Sequence, residues 1–182
     1  MPTIKKKYKV WDTENYFIEA IIENLWWENI INKFFEQKIT LIVNQIIENT
    51  KNKNLRNKIS ISILFTGDKK ITQLNKKFKK INFPTNVLSF PSGQNINTDN
   101  LLNNDDFVNF LGDIVISSDT LIKEANSEKK IPIDHLIHLF IHGILHLLGY
   151  DHENSCEAKV METLEVKILK NLKISDPYID NT

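Results

Sequence analysis

A chain of 182 residues, 41% of them hydrophobic and 25% charged, is long enough for one domain with a substantial core and has the composition of an ordinary globular protein. Its apolar runs are shorter than the ~20 residues that span a bilayer, and polar residues follow its lysine-rich N-terminus where a signal peptide would be apolar, so we expect a cytoplasmic protein. The single cysteine, Cys156, excludes an intrachain disulfide, which fits a reducing compartment.

The charge is unevenly distributed, although the formal net charge is zero. Between Lys51 and Lys80 there are ten basic residues and a single acidic one, Asp68. A basic segment of this kind suits a polyanionic partner such as nucleic acid. A lysine-rich face that is simply solvated explains the same pattern equally well, so charge alone leaves both interpretations open.

The first half of the chain contains four patterned segments. Residues 16–23 alternate loosely and are compatible with a strand or with the start of a helix. Residues 27–49 carry apolar side chains at helical intervals, which predicts an amphipathic helix. Residues 59–65, I-S-I-S-I-L-F, have the period of two that is typical of a strand. Residues 69–80 predict a short basic helix whose buried side is formed by Ile71, Leu74 and Phe78.

Two more strands and another helix are predicted in the middle of the chain. Residues 85–90 form a short strand between two prolines. Residues 92–110 are rich in Asn and Asp and predict a flexible loop or insertion with little capacity to form a core. Residues 111–117 predict the next strand, after which Ser118 or Asp119 caps a helix.

The last part of the chain predicts two helices. Pro132 opens the first, which is rich in histidine, and residues 155–172 form the second, which is amphipathic. No repeat and no linker divides the sequence, so we expect residues 1–182 to form a single domain. The order of elements indicates an α+β fold in which a single mixed β-sheet is packed with helices, with the histidine-rich helix at its centre.

The motif H-G-I-L-H-L-L-G-Y-D-H, from His142 to His152, is the most informative part of the sequence. On a helix, His142 and His146 lie on one face, one turn apart. Gly149 offers a left-handed helix end, after which the chain can fold back and bring His152 to the other two. Three neutral imidazoles around one point form a zinc site with a vacant fourth position, which is typical of a catalytic metal.

Histidines at helical spacing also occur as hydrogen-bonded core residues, and two observations weaken that interpretation here. Four of the five histidines fall on one stripe of the predicted helix: His135, His138, His142 and His146. The rest of this helix is apolar nearly all round, which indicates burial. A buried stripe of imidazoles must satisfy its ring nitrogens, and a metal ion does so at once.

The spacing H-x-x-x-H-x-x-G-x-x-H also resembles that of the metzincin zinc proteases, with one departure. In those enzymes a glutamate follows the first histidine and serves as the general base, whereas here the position holds Gly143. A peptidase is therefore disfavoured. Cys156, four residues after His152, is open to interpretation as a fourth ligand or as a free helical thiol, and we favour the thiol.

Two further segments accompany the histidine motif: P-T-N-V-L-S-F-P, from Pro84 to Pro91, and L-G-D-I-V-I-S, which ends at Ser117. Together the three segments resemble the bacterial YbeY family of single-domain, metal-dependent endoribonucleases that act in ribosomal RNA maturation. The resemblance runs from about residue 59 to residue 178, and its motifs are specific as a set. The first fifty residues match in outline.

This resemblance implies a zinc-dependent endoribonuclease that cleaves single-stranded RNA, matures the 3′ end of small-subunit ribosomal RNA and acts in ribosome quality control. It places His142, His146 and His152 as the ligands of one Zn²⁺ per chain, with His135 and His138 as supporting or core groups. The implied partners are ribosomal RNA and ribosomal or assembly proteins, with no membrane and no DNA. Two alternatives stay open: a ribosome-assembly RNA-binding factor whose zinc is mainly structural, and another zinc hydrolase.

Three other residues have open interpretations, and no residue is assigned as the general base. Asp151 could orient His152 or cap the last helix. Asp113, in the middle of a strand, could hydrogen-bond a ligand imidazole or close a local backbone turn. Lys79 stands where the resemblance implies an arginine, and a lysine is a compact point charge rather than a two-donor fork. Lys79 could attract a phosphate or be a solvated residue at a helix end.

Overall fold

Five β-strands in the described part of the chain form one mixed sheet. The computed structural model describes residues 6–31, 35–50, 58–93 and 108–179. In chain order the strands are β1 (Lys7–Asp12), β2 (Tyr16–Ile22), β3 (Ile59–Thr66), β4 (Val87–Pro91) and β5 (Asn109–Ser117). They lie side by side in the order β1-β2-β3-β5-β4. Strands β2, β3 and β5 are parallel, and each edge strand is antiparallel to its neighbour.

Helices pack on this sheet, and one of them lies at the centre of the structure. The helices of the described residues are α1 (Leu25–Ile30), α2 (Glu36–Thr50), α3 (Asp68–Lys79), α4 (Ser118–Ser127), α5 (Pro132–Leu147) and α6 (Ser155–Asn171). Helix α5 contacts β4, β5, α2, α4 and α6. The predicted α+β fold, with a single mixed sheet and the histidine-rich helix in its middle, is confirmed. None of the described helices has the length and apolar character needed to cross a membrane.

The alternating sequence of β3 explains how the sheet is covered on both faces. Ile59, Ile61 and Ile63 are buried in the main core, on the face that α5 covers. Leu64 points to the other face, where it packs against a smaller cluster that contains Ile71 of α3. Because a buried aliphatic side chain contributes about 1.5–3 kcal/mol, the larger cluster under α5 supplies most of the stabilisation.

The N-termini of α3 and α4 cap each other, which differs from the predicted cap. Ser118 or Asp119 was expected to cap α4, but the N-cap residue is Ser117. Oδ2 of Asp119 instead accepts the backbone N–H of Asp68, at the start of α3, at 2.8 Å. In return, Oδ1 of Asp68 accepts the backbone N–H and the hydroxyl of Thr120 in α4, at 3.2 and 2.7 Å. Each carboxylate thus satisfies donors at the positive end of the neighbouring helix, a partner that spacing along the chain cannot reveal.

The N-terminal region differs from expectation in detail. Strand β1 was not predicted, and residues 16–22 form a strand rather than a helix start. The helix predicted over residues 27–49 corresponds to α1 and α2, with residues 32–34 outside the described part. Trp27 of α1 is fully buried, and its indole N–H donates to the Thr66 carbonyl at 2.8 Å, which fixes α1 beside the end of β3.

Two other expectations have mixed outcomes. Phe78 was expected on the buried side of α3 but is 52% exposed. Its ring packs against Phe90 of β4, with ring centroids 5.0 Å apart, and lines a groove on that face of the sheet. Of the predicted loop over residues 92–110, residues 94–107 lie outside the described part. The single-domain organisation of residues 1–182 stays a prediction.

Replacement of Gly112 by alanine is expected to destabilise the sheet. Gly112 has a φ of +140° at the bulge where β5 pairs with β3, and an added Cβ would lie 2.2 Å from the Phe90 carbonyl oxygen. Backbone strain and this clash together should lower the free energy of unfolding, measured by urea titration, by at least about 2 kcal/mol. Gly93→Ala is the control, because its φ is +71° but nothing lies within 4 Å, so about 1 kcal/mol should be lost. Equal losses would contradict the steric explanation.

Candidate metal centre

The structure brings the three histidines of the motif together. One ring nitrogen of each of His142, His146 and His152 lies within 4.8 Å of the others, so the group could hold a metal ion. The closest pair is Nε2 of His142 and Nε2 of His146, at 3.1 Å. The ring of His152 has its centroid 5.4 Å from that of His142 and 5.0 Å from that of His146.

The end of α5 explains why His152 returns to the helix. Gly149 has a φ of +88°, its N–H donates to the His146 carbonyl, and the N–H of Tyr150 donates to the Leu145 carbonyl, both at 3.0 Å. This pair of bonds is the Schellman ending, which reverses the chain direction within a few residues. The left-handed conformation predicted for Gly149 is confirmed.

A buried carboxylate behind the histidines determines how His142 is protonated. Glu165 of α6 has a fully buried side chain, with Oε1 2.8 Å from Nδ1 of His142 and Oε2 3.0 Å from Nε2 of His138. The hydroxyl of Tyr178 also donates to Oε2. Burial by itself raises the pKa of the Glu165 carboxyl, but the hydrogen bonds from His138, His142 and Tyr178 outweigh burial and lower this pKa to about 2.

An ionised carboxylate only accepts hydrogen bonds, so Nδ1 of His142 carries the proton that points to Glu165. In the neutral imidazole, Nε2 then keeps its lone pair on the side of His146. Burial, reinforced by the neighbouring His142 and His152, lowers the pKa of His146 below its ordinary value. The bond to Glu165 directs the free lone pair of His142 toward His146, and the lowered pKa favours the neutral form of His146; a neutral imidazole with a free lone pair is the form that binds metal.

The structure decides between the alternatives for Asp151 and excludes one of the two for Asp113. Asp151 does not cap α6, because the N-cap is Asn154, whose side chain accepts two backbone N–H groups. Instead, Oδ1 of Asp151 accepts the backbone N–H of His152 at 2.8 Å and lies 3.9 Å from Nδ1 of His146. Asp113 is exposed in a separate groove that Glu19 also lines, and among the described residues it makes no hydrogen bond to a histidine. The suggested bond from Asp113 to a ligand imidazole is wrong.

The remaining candidates lie outside the histidine group. Nε2 of His135 lies 2.8 Å from Oε2 of Glu124, so His135 is a hydrogen-bonded core residue. His138 contacts Glu165, the carboxylate that also holds His142. Cys156 is exposed and free, and it does not belong to the group of potential ligands, in agreement with the free-thiol interpretation.

The histidines open into a cleft of about 740 Å³ between the α3–β4 connection and the α5–α6 connection. Lys79 and Asn75 line it on the first side, and Asp151 and Glu153 on the second. Lys79 therefore faces the same space as the histidines. An open cleft beside three imidazoles leaves room for a substrate, unlike a closed structural metal site with four protein ligands.

The close packing of α5 on the sheet involves Gly143. A Cβ at this position would lie 3.2 Å from Cδ1 of Ile114 and 3.2 Å from Oγ of Ser89, because α5 packs closely on β4 and β5 here. A larger side chain at this position would require the side chains of Ile114 and Ser89 to shift. The close packing is compatible with a glycine at the position where a metzincin has its general base.

Glu165 and Tyr178 were not singled out from the sequence as members of the site. Glu165 could have been found, because it lies on the apolar stripe of α6, four residues after buried Met161 and three before buried Ile168. A carboxylate on the buried stripe of one helix indicates a partner such as the imidazole stripe of another. Tyr178 offered no comparable pattern, since it reaches Glu165 from the segment after α6.

The chain is similar in sequence to known proteins of one family. The family model described as Endoribonuclease YbeY matches residues 22–173. A Bartonella henselae protein named Endoribonuclease YbeY is 40% identical over 166 residues, which cover 90% of this chain and 97% of the relative. A Bradyrhizobium protein of the same name is 47% identical over 121 residues, covering 66% of this chain and 69% of the relative. A solution structure from Thermotoga maritima has a TM-score of 0.49 and 21% identity, covering 89% of this chain and 99% of that one.

Replacement of Glu165 by glutamine is expected to destabilise the metal-free protein. The amide has one acceptor oxygen in place of two, so it cannot accept the hydrogen bonds of His138, His142 and Tyr178 as the carboxylate does. Its NH₂ group is a donor that faces other donors. We expect the free energy of unfolding to fall by about 1–3 kcal/mol in a urea titration with chelator present. Glu162→Gln, an exposed change on the same helix, should cost less than about 0.5 kcal/mol. Equal stability of the two variants would rule out the network.

Proposed function

Since the chain belongs to the YbeY family of endoribonucleases, we propose that it cleaves single-stranded RNA in the histidine cleft. The substrate class that we propose is ribosomal RNA, with the 3′ end of the small-subunit RNA as the place of processing and ribosome quality control as the setting. Ribosomal or assembly proteins are the proposed protein partners. The observation that carries the proposal is the convergence of three imidazoles in an open cleft that Lys79 also lines.

We propose that His142, His146 and His152 hold one zinc ion. Three imidazoles are a donor set that suits zinc, and nitrogen ligands on a tetrahedral zinc lie ~3.3 Å apart for Zn–N bonds of about 2.0–2.1 Å. The 3.1 Å between Nε2 of His142 and Nε2 of His146 is close to this separation. When bound, the ion supplies Lewis acidity to a phosphoryl group.

The side chains of the cleft bind and orient the substrate. The Lys79 ammonium attracts a phosphate as a point charge, without the two-donor geometry of an arginine. Glu165 keeps His142 in one tautomer, and because Glu165 is fully buried it has no access to a substrate proton. The general base stays unassigned, and attack by the 2′-hydroxyl of the RNA is as compatible with the cleft as attack by water.

The two alternatives receive less support. A mainly structural zinc would favour a closed set of four protein ligands, whereas His152 is exposed and the described residues offer three donors at this place. A metzincin-type peptidase would need a general base after the first histidine, where this chain has Gly143, whose position packs against Ile114 and Ser89.

Replacement of His146 by alanine tests the ligand assignment and the reaction together. Loss of one of three ligands should weaken metal binding by more than about 100-fold, because loss of an outer hydrogen-bond partner alone costs 10–100-fold. Elemental analysis should find little metal in the variant, and its cleavage of a ribosomal RNA precursor should fall to the level of wild type with chelator. Cys156→Ala, which changes an exposed thiol, should keep full metal content and activity.

Two outcomes would overturn these proposals. Full metal content in His146→Ala would show that the ligand assignment is wrong. Equal trace cleavage by wild type and His146→Ala, compared at matched thermal stability, would favour the RNA-binding factor over the nuclease.

A further inference from the structure

The connection between α3 and β4 exposes large apolar side chains beside the cleft. We call residues 80–85 the rim loop. Phe83 is 73% exposed and Ile81 is 52% exposed. An exposed aromatic ring offers apolar surface that a binding partner can cover.

The rim loop is held by specific bonds, so the exposure of Phe83 follows from the backbone. The side-chain amide of Asn75, a residue only 5% exposed, donates to the Phe83 carbonyl at 2.9 Å. The backbone N–H of Ile81 donates to the Asn75 carbonyl at 3.4 Å. Lys80 ends α3 in the left-handed conformation, with a φ of +64°. One buried asparagine thus binds the loop at two points and directs its apolar side chains outward.

The rim loop belongs to the wall of the histidine cleft. Ile81 and Thr85 line the same cleft as His142, His146 and His152. A chain molecule that lies across the histidines toward α3 therefore passes over this loop.

Lysines precede these apolar side chains at the end of α3. Four lysines lie at the end of α3: Lys76, Lys77, Lys79 and Lys80. Within the described residues, none of the four forms an ion pair with a carboxylate, and residues 69–86 contain no acidic residue. The rim loop thus joins unpaired positive charge to exposed apolar and aromatic surface.

We propose that Phe83, with Ile81 beside it, is a base-stacking platform for single-stranded RNA that enters the histidine cleft, while the lysines of α3 bind the adjacent phosphates. The proposal rests on the proposed function, because it takes RNA as the occupant of the cleft. Single-stranded nucleic acid is bound by this combination of aromatic surface and cations, since every base has a π-face and every linkage a charge. Bases paired in a duplex are covered by their neighbours, so the platform selects unpaired RNA.

The test measures binding of a labelled single-stranded oligoribonucleotide to metal-free protein, so that cleavage does not interfere. Base–aromatic stacking is worth about 1–3 kcal/mol, so Phe83→Ala should bind about 5- to 100-fold more weakly. The matched control is Tyr8→Ala on β1 at the other edge of the sheet, an aromatic residue that is 72% exposed, and this variant should bind as wild type does. Equal binding by wild type and Phe83→Ala would overturn the proposal.

The salt dependence and the conservative variants distinguish stacking from charge. Phe83→Ala should leave the slope of log affinity against log salt unchanged, whereas Lys79→Gln should reduce it by about 1. Phe83→Tyr should retain the affinity of wild type for the oligoribonucleotide. Phe83→Leu should lose most of the affinity that Phe83→Ala loses. An oligomer with abasic residues should bind wild type and Phe83→Ala equally. A preference of wild type for abasic or duplex RNA would overturn the platform.

The outcomes for the platform and for the proposed function are separable. If wild type cleaves RNA in a metal-dependent way and Phe83→Ala binds RNA equally well, the platform is wrong and the proposed function stands. If wild type cleaves no RNA but binds it in a way that depends on Phe83, the nuclease is wrong and the platform stands as an RNA-binding site.

Discussion

The candidate metal centre depends on one buried carboxylate. Removing an ionised carboxyl group from water costs several kcal/mol unless hydrogen bonds compensate, and Glu165 is fully buried. Its compensation comes from His138 and His142 on α5 and from Tyr178 in the segment after α6. The same bonds that make the buried charge tolerable also fix the tautomer of His142. Stability and ligand geometry are therefore produced by the same contacts, and a change in one alters the other.

Helix α5 meets different requirements on its two sides. On one side it packs closely on β4 and β5, so that a Cβ at position 143 would lie 3.2 Å from side-chain atoms of Ile114 and Ser89. On the other it presents His142 and His146, and its glycine ending brings His152 back to them. The ligand spacing shared with the metzincins is thus compatible with a different chemistry, because the position of their general base is occupied here by the contact between helix and sheet.

The two sides of the cleft carry opposite charges, and this difference favours one orientation of an anionic substrate. Lys79 lines the cleft on the α3 side, whereas Asp151 and Glu153 line it on the opposite side. A polyanion is attracted to the first side and repelled from the second, which orients it across the histidines. The described part of the basic segment between Lys51 and Lys80 includes Lys79, which lines the cleft. The interpretation of the segment as a nucleic-acid surface stays a prediction.

The strands β3 and β5, the central helix and the group of three histidines could be predicted from the sequence alone. Each of these follows from a local periodicity or from a fixed spacing of residues along one segment. The left-handed end at Gly149 is local in the same sense. Contacts between distant segments were decided only by the tertiary structure: the exchange of caps between Asp68 and Asp119, the bonds from Glu165 to the histidines, and the place of Asp113 away from them. A carboxylate can satisfy any donor that the fold brings within 3 Å, and its sequence neighbours carry no record of which donor that is.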